Sequence, residues 1–274
     1  MSFSDLFRAV DYENAGNFSY HLKKLVGAFV TKTDAGYLLN PSGRKIVRAM
    51  IASIGDVSAI NDADIDMDCP FCGGAKQLVY RDEMLYLVCN ECAGGLGENP
   101  EHPPGTLSAL ELDPAGIAGR SAEEIIHAAY ARARHAFGAA IEGICDECSG
   151  SMQRSLSICS DHDPAGQCAE CGRFMEIMAE FSCPVCKNYH AAPPRTVVAQ
   201  HPAVVSFYWE KGIALQYEVT DFASHQQGGA VIERHEQEIV SVDPPRVRVS
   251  IDVEGDRLSL VLDEQLSAID ITNG

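Results

Sequence analysis

The chain has 274 residues, enough for two to four compact units, and its 46% hydrophobic content can supply buried cores. Its net charge of −18, from 39 acidic and 21 basic residues, repels nucleic acid wherever it is evenly spread. No apolar run reaches the roughly 18 residues of a membrane span, and the start MSFSDLFRAV lacks a signal peptide's basic and apolar stretches, so the sequence argues against a membrane and for the cytoplasm. Thiols stay reduced in that compartment, and the 11 cysteines read as metal ligands rather than disulfides.

Phe3, Leu6, Phe7 and Val10 mark one face of a short helix with Ser4 as its expected N-cap, and DYENAG ends it. A second helix is expected from Asn17 through NFSYHLKKLV. Phe18, Leu22 and Leu25 would face inward, with Asn17, Ser19, Tyr20, Lys23 and Lys24 outward and His21 at the boundary. FVTKTDAGYLL reads as a hairpin around Asp34-Ala35-Gly36. A third helix follows, capped by Ser42 and burying Ile46, Val47, Met50 and Ile51. Residues 1–55 hold seven basic and four acidic side chains, a net +3, which leaves −21 to the remainder. A basic island on an acidic chain suits contact with phosphates.

Helix, turn, helix, hairpin and helix is the winged helix-turn-helix order, in which the second helix enters the major groove and the hairpin lies along the backbone. FSYHLKKLV, the wing and the GR-containing helix, in this order, resemble the ArsR-like winged-helix regulators of archaea. By that resemblance Asn17, Ser19, Tyr20, His21 and Lys24 would face DNA, while Lys32 and Thr33 on the wing and Arg44 would touch phosphates. Lys23 is equally well placed for phosphate contact. The resemblance also implies a helix ahead of Ser2, where only Met1 stands, so the winged domain over 1–56 is expected to lack its first helix.

Over 66–98, Cys69-Pro70-Phe71-Cys72 and Cys89-Asn90-Glu91-Cys92 flank QLVYRDEMLYLV, two alternating strands with a turn near Asp82-Glu83. Two knuckles on one hairpin set four thiolates around one Zn²⁺, a closed structural site with no open position for catalysis. The stretch 99–143 reads as a linker followed by a helix: Gly94 to Gly119 is rich in Gly and Pro and promises little regular structure, and Ser121-Ala122-Glu123-Glu124 then opens a helix running to about Ile141. His127 and His135 on that helix read as surface residues.

A second metal region spans 144–190, with the pairs Cys145/Cys148, Cys159/His162, Cys168/Cys171 and Cys183/Cys186. With the first ribbon these make 12 ligands, or three structural Zn²⁺ sites of four with none left over. Three pairings compete. A sequential one would need a tight hairpin inside SGSMQRSLSI, which has no turn signal and spans roughly 33 Å as a strand. A nested one folds two strands about Asp163-Pro164-Ala165-Gly166, joining Cys159, His162, Cys168 and Cys171 at the tip and Cys145, Cys148, Cys183 and Cys186 at the base. A cross-braced, RING-like one matches the order of three cysteines, one histidine and four cysteines, although five residues between His162 and Cys168 exceed that family's usual spacing.

Over 191–274, HPAVVSFYWEKGI predicts a helix with Val205, Tyr208 and Trp209 inward. After a break at Gly228-Gly229, IERHEQEIVSV, RVRVSIDVEGD and RLSLVLDEQL alternate as strands, the last two joined at Glu254-Gly255-Asp256. Asp252, Glu254, Asp256 and Asp263 read as solvated charge, and Phe207, Tyr208 and Trp209 as core.

The fold class expected is α+β: a winged helix-turn-helix, then zinc-ribbon modules, then a small antiparallel sheet with a helix. The layout as a whole resembles archaeal transcription regulators with zinc-ribbon C-terminal regions, which implies a homodimer bound to double-stranded DNA. The alternative is a zinc-ribbon adaptor docking to transcription machinery without binding DNA itself. An enzyme is not expected, because each predicted metal site is closed and no nucleophile-base pair is visible.

Overall fold

The computed structural model describes residues 1–10, 12–54, 57, 60, 63–69, 71–95, 101–163, 168–173, 175–213, 215, 232 and 235–274. Among them the fold is α+β, with several small antiparallel sheets and few helices. No helix among the described residues is long and apolar enough to cross a membrane. The chain divides into two compact units, Met1–Asp56 with Asp113–Ala118, and Val57–Leu112 with Gly119–Gly274.

The first unit opens with α1 (Phe3–Ala9). Its cap is Ser2 and not Ser4, because Asp5 completes a capping box: the Ser2 hydroxyl accepts from Asp5 N–H while the Asp5 carboxylate accepts from Ser2 N–H. Helix α2 (Ala15–Leu25) starts two residues before the expected Asn17, since Asn14 caps it by accepting from Asn17 N–H. Phe18 packs between Phe3 and Phe7 at 5.3 and 5.4 Å, and Leu22 is buried. Val10 and Leu25, expected inside, are exposed. Strands β1 (Val30–Thr33) and β2 (Gly36–Leu39) form the hairpin, with Val30 opposite Leu39.

Helix α3 (Pro41–Ala52) is capped by Asn40 rather than Ser42, with Pro41 in the first turn, where its missing N–H leaves nothing unsatisfied. Its expected inner face is not buried: Ile46, Val47, Met50 and Ile51 are between 37% and 63% exposed. Only Gly43 is buried on this helix, so near Phe29 that a Cβ would sit 2.2 Å from the Phe29 carbonyl oxygen. Among the described residues, the elements that meet α3 most are short β2 and a 3-10 turn at Pro114–Gly116, and neither covers the stripe.

The second unit begins with a four-stranded antiparallel sheet of β3 (Ala63–Asp68), β4 (Ala75–Arg81), β5 (Met84–Cys89) and β6 (Thr106–Glu111), in that order. Asp82 and Glu83 both have positive φ, the mirror-image turn whose twist matches a two-residue hairpin. Strand β6 lies within the stretch read as a linker, which corrects that expectation. The glycine there is needed for proximity: at Gly105, with φ +76°, a Cβ would stand 2.1 Å from the Cys89 carbonyl oxygen. Helix α4 (Ala122–Ile141), opened by the Ser121/Glu124 capping box, buries Ile125, Ile126 and Ala129 and packs on β3 and β6.

Strands β7 (Gln153–Ile158), β8 (Ile177–Ser182) and β9 (Tyr189–Ala192) form a second antiparallel sheet. After α5 (Pro194–Val198) and α6 (Pro202–Glu210) comes a third, a meander of β10 (Glu236–Val242), β11 (Pro245–Val253), β12 (Asp256–Leu262) and β13 (Ala268–Asn273). Both sheets feed one core, which takes Phe181 from the second sheet and Val247, Val249 and Leu260 from the third. On α6 the inward residues are Val204 and Tyr208, while Trp209 is 73% exposed. Of the expected set Tyr208 is buried and Val205 half-buried; Trp209 is out because Val204 and Tyr208, four apart, define the inner face and Trp209 is turned a further 100° or so. The expected turn residues Pro164 to Gly166 and the Gly228-Gly229 break lie outside the described residues.

Candidate metal centres

Four of the cysteine pairs sit in the same local fold. In each, the first cysteine's carbonyl accepts from the N–H four residues on, and its own N–H donates to the carbonyl five residues on: Cys69 with Gly73 and Gly74, Cys145 with Ser149 and Gly150, Cys168 with Gly172 and Arg173, and Cys183 with Lys187 and Asn188. The chain can close this loop only with positive φ at the fourth residue, and Gly73, Ser149, Gly172 and Lys187 all have it. The loop aims amide N–H groups at sulfur, as with Gly74 to Cys72 and Gly150 to Cys148, and outside it Glu91 N–H points at Cys89, each at 3.4 Å. Such donors favour thiolate, but each proton is shared between neighbouring sulfurs: the Gly74 N–H lowers the Cys72 thiol, while Cys89 pushes it up, to about 12. The Cys183 thiol is brought down to about 6, first by the Cys186 N–H, and Cys89 to about 7, first by the Glu91 N–H.

Three clusters result: Cys69, Cys72, Cys89 and Cys92; Cys145, Cys148, Cys183 and Cys186; and Cys159, His162, Cys168 and Cys171. Within each, the donor atoms lie within 4.8 Å of one another. A tetrahedral ion with Zn–S bonds of about 2.3 Å requires sulfurs roughly 3.8 Å apart. The observed separations are 3.7 Å for Cys69–Cys92 and 3.5 Å for Cys72–Cys89, Cys145–Cys186 and Cys148–Cys183. His162 Nδ1 stands 3.5 Å from Cys171 Sγ. These are far beyond the 2.05 Å of a disulfide, and all 11 cysteines are free. The donor sets fit three structural zinc sites, and the pairing is the nested one. A cross-brace would join Cys145 and Cys148 to Cys168 and Cys171, which belong to another cluster.

The surroundings complement the charge. A Zn²⁺ held by four thiolates carries −2, and Lys76, only 5% exposed, lies beside the first cluster. Burial lowers the Lys76 pKa, while Cys69, Asp68 and Cys89 oppose that by attraction. Lys76 was not foreseen, although its signal was present: it is in phase with buried Leu78 and Tyr80 on β4, a charge at an inward position. At the second cluster Asn188 Nδ2 lies 3.8 Å from Cys145 Sγ and donates to Asp146 at 2.8 Å. His127 is half-buried and His135 exposed, and neither joins a cluster. Of the C-terminal acids, Asp252 pairs with Arg257 and Asp256 with Lys211.

The residues expected to meet DNA lie on the first unit. On α2, Asn17, Tyr20, His21, Lys23 and Lys24 are exposed and Ser19 is half-buried. Lys24 Nζ sits 5.5 Å from the Tyr20 ring centre, and His21 meets Tyr20 edge-on at 5.4 Å. Lys32 and Thr33 are exposed at the end of β1, with Lys32 over Tyr37. Arg44 is exposed too, but its Nη1 donates to the Leu39 carbonyl at 2.8 Å, so part of its donor set is spent on the hairpin.

No curated protein and no solved structure matches the chain. Residues 1–50 match a family described as Domain of unknown function (DUF7347). The larger match spans residues 66–268, taking in all three clusters and most of the last sheet, and by it the chain belongs to the family described as Domain of unknown function (DUF7351).

Proposed function

We propose that this protein is a DNA-binding regulator of transcription that acts in the cytoplasm as a homodimer, its first unit a winged helix-turn-helix on double-stranded DNA and its three zinc sites scaffolding. The observation that carries this is α2, which turns Asn17, Tyr20, His21, Lys23 and Lys24 to solvent within a segment of net +3, on a chain of net −18. Basic side chains exposed on one helix beside an exposed hairpin are what a groove lined by phosphates selects. The reading assigns the chain no catalytic step.

The test is titration of zinc-loaded full-length protein with DNA fragments from around its own coding region. Affinity should fall steeply with salt, and Lys24→Ala should reduce the salt slope by about one, as loss of one phosphate contact does. Absent or salt-independent binding by the folded protein sinks the reading. An adaptor docking to transcription machinery is the second reading, favoured by the exposed apolar stripe of Ile46, Met50 and Ile54. Capture of that machinery without DNA enrichment would select it.

A further inference from the structure

A cavity of about 170 Å³ opens within the second unit between α4, paired strands β5 and β6, and β9, next to the second metal cluster. Alanines make the space: Ala109 on β6, Ala133 and Ala136 on α4, and Ala191 on β9 line it. A void of about 150 Å³ accepts a benzene molecule, so this one holds that ring with one or two further heavy atoms. Phe137 forms an aromatic wall, its ring set by edge contact with Phe181 at 5.9 Å and by His190 at 5.4 Å. Tyr189 adds a second ring.

The charges around this cavity are unequal. Glu111 and Asp146 line the cavity, and Glu147 stands at its edge by its pairing with Arg132, the one guanidinium among the lining residues. Arg132 Nη2 is already shared between Glu111 at 3.1 Å and Glu147 at 3.5 Å. Asp146 is contacted by His190 Nε2 at 3.0 Å and by Asn188. Every charge here has a partner, but three carboxylates stand against one guanidinium, so the surroundings disfavour an anion. A neutral apolar ligand would strip water from the carboxylates and return nothing. A cation gains from both the carboxylates and the aromatic faces.

We propose that this cavity binds a small organic cation, an ammonium group on a compact apolar or aromatic body of about benzene size. The site lies wholly in the second unit and stands or falls apart from the DNA reading. The experiment uses the zinc-loaded full chain with benzylamine as probe and its isosteres benzyl alcohol and benzoate as controls, followed by saturation-transfer NMR and calorimetry. Benzylamine should bind about tenfold or more tighter than benzoate, and Glu111→Gln should weaken it about tenfold, the size of one charge-assisted contact. Ala136→Leu, which fills the cavity, should abolish binding. Should that variant lose its fold, Glu111→Gln decides alone. Equal binding of benzoate, no binding of benzylamine, or unchanged binding by either folded variant overturns the proposal.

Discussion

Cys145 Sγ lies 3.5 Å from Cys186 Sγ, although 41 residues separate them in the chain. The contact encloses the Cys159/His162/Cys168/Cys171 cluster in sequence, with β7 and β8 running antiparallel between the two sites. Loss of one outer ligand should therefore act at a distance in sequence. Cys145→Ser should lower the bound zinc from three equivalents to two and disorder the amides around Cys183, while those around Cys168 hold. Metal counting with amide NMR checks this; loss of the Cys168 signals in place of Cys183 contradicts the pairing.

The knuckle loops make a prediction of opposite signs. Ser149 holds φ +61°, where a side chain costs about 1 kcal/mol or more, while Gly172 holds φ +67° without that cost. Ser149→Gly should stabilise the second unit by about 0.5 kcal/mol after glycine's greater entropy loss, and Gly172→Ala should destabilise it by about 1 kcal/mol. Urea midpoints of the zinc-loaded protein report both, and a shift of the same sign in both variants would exclude backbone strain as the cause.

At the first cluster the sheet itself carries the ligand. Cys89 N–H donates to the Gly105 carbonyl at 2.8 Å, and Gly105 has no room for a Cβ on the Cys89 side. Gly105→Ala combines positive φ with a clash against backbone, a cost of about 3 kcal/mol. It should release the first zinc and leave the other two bound. Retention of all three equivalents at the wild-type unfolding midpoint would refute this.

What was legible in the sequence follows the range of the interaction that fixes it. Knuckles are local, so the CxxC spacing and the single C-x-x-H at Cys159/His162 reveal all 12 ligands. Pairing was half legible: the lengths of β7 and β8 exclude a sequential arrangement, but choosing between nested and crossed needs the fold. Composition misled where one residue type serves two purposes. Gly105 looked like linker and is a close-packing residue beside β6. Periodicity marks an apolar stripe but not whether anything covers it, so Ile46 and Met50 on α3 looked like core and are exposed. The cavity beside α4 draws on five separate segments and left no sequence signal of its own.

His235 supplies a pH dependence. It is 4% exposed, its Nε2 lies 2.7 Å from the Tyr208 hydroxyl, and the two rings stack at 5.8 Å. Burial first, and then the charge of Arg195, lower its pKa from 6.5 to about 4. Above pH 6.5 the imidazole is neutral in both folded and unfolded chains and adds no slope. Between pH 6.5 and 4 the unfolded chain takes up a proton that the folded one refuses, so stability must fall as pH falls, levelling off below about 4. The full loss is about 3 kcal/mol. Acid also protonates zinc thiolates, so the readout is a difference: urea midpoints of wild type and His235→Gln, across pH 7 to 4. Both chains share the metal sites, and the variant lacks only the buried imidazole. Its curve should be flatter over that window, and parallel curves would show that His235 does not resist protonation in the core.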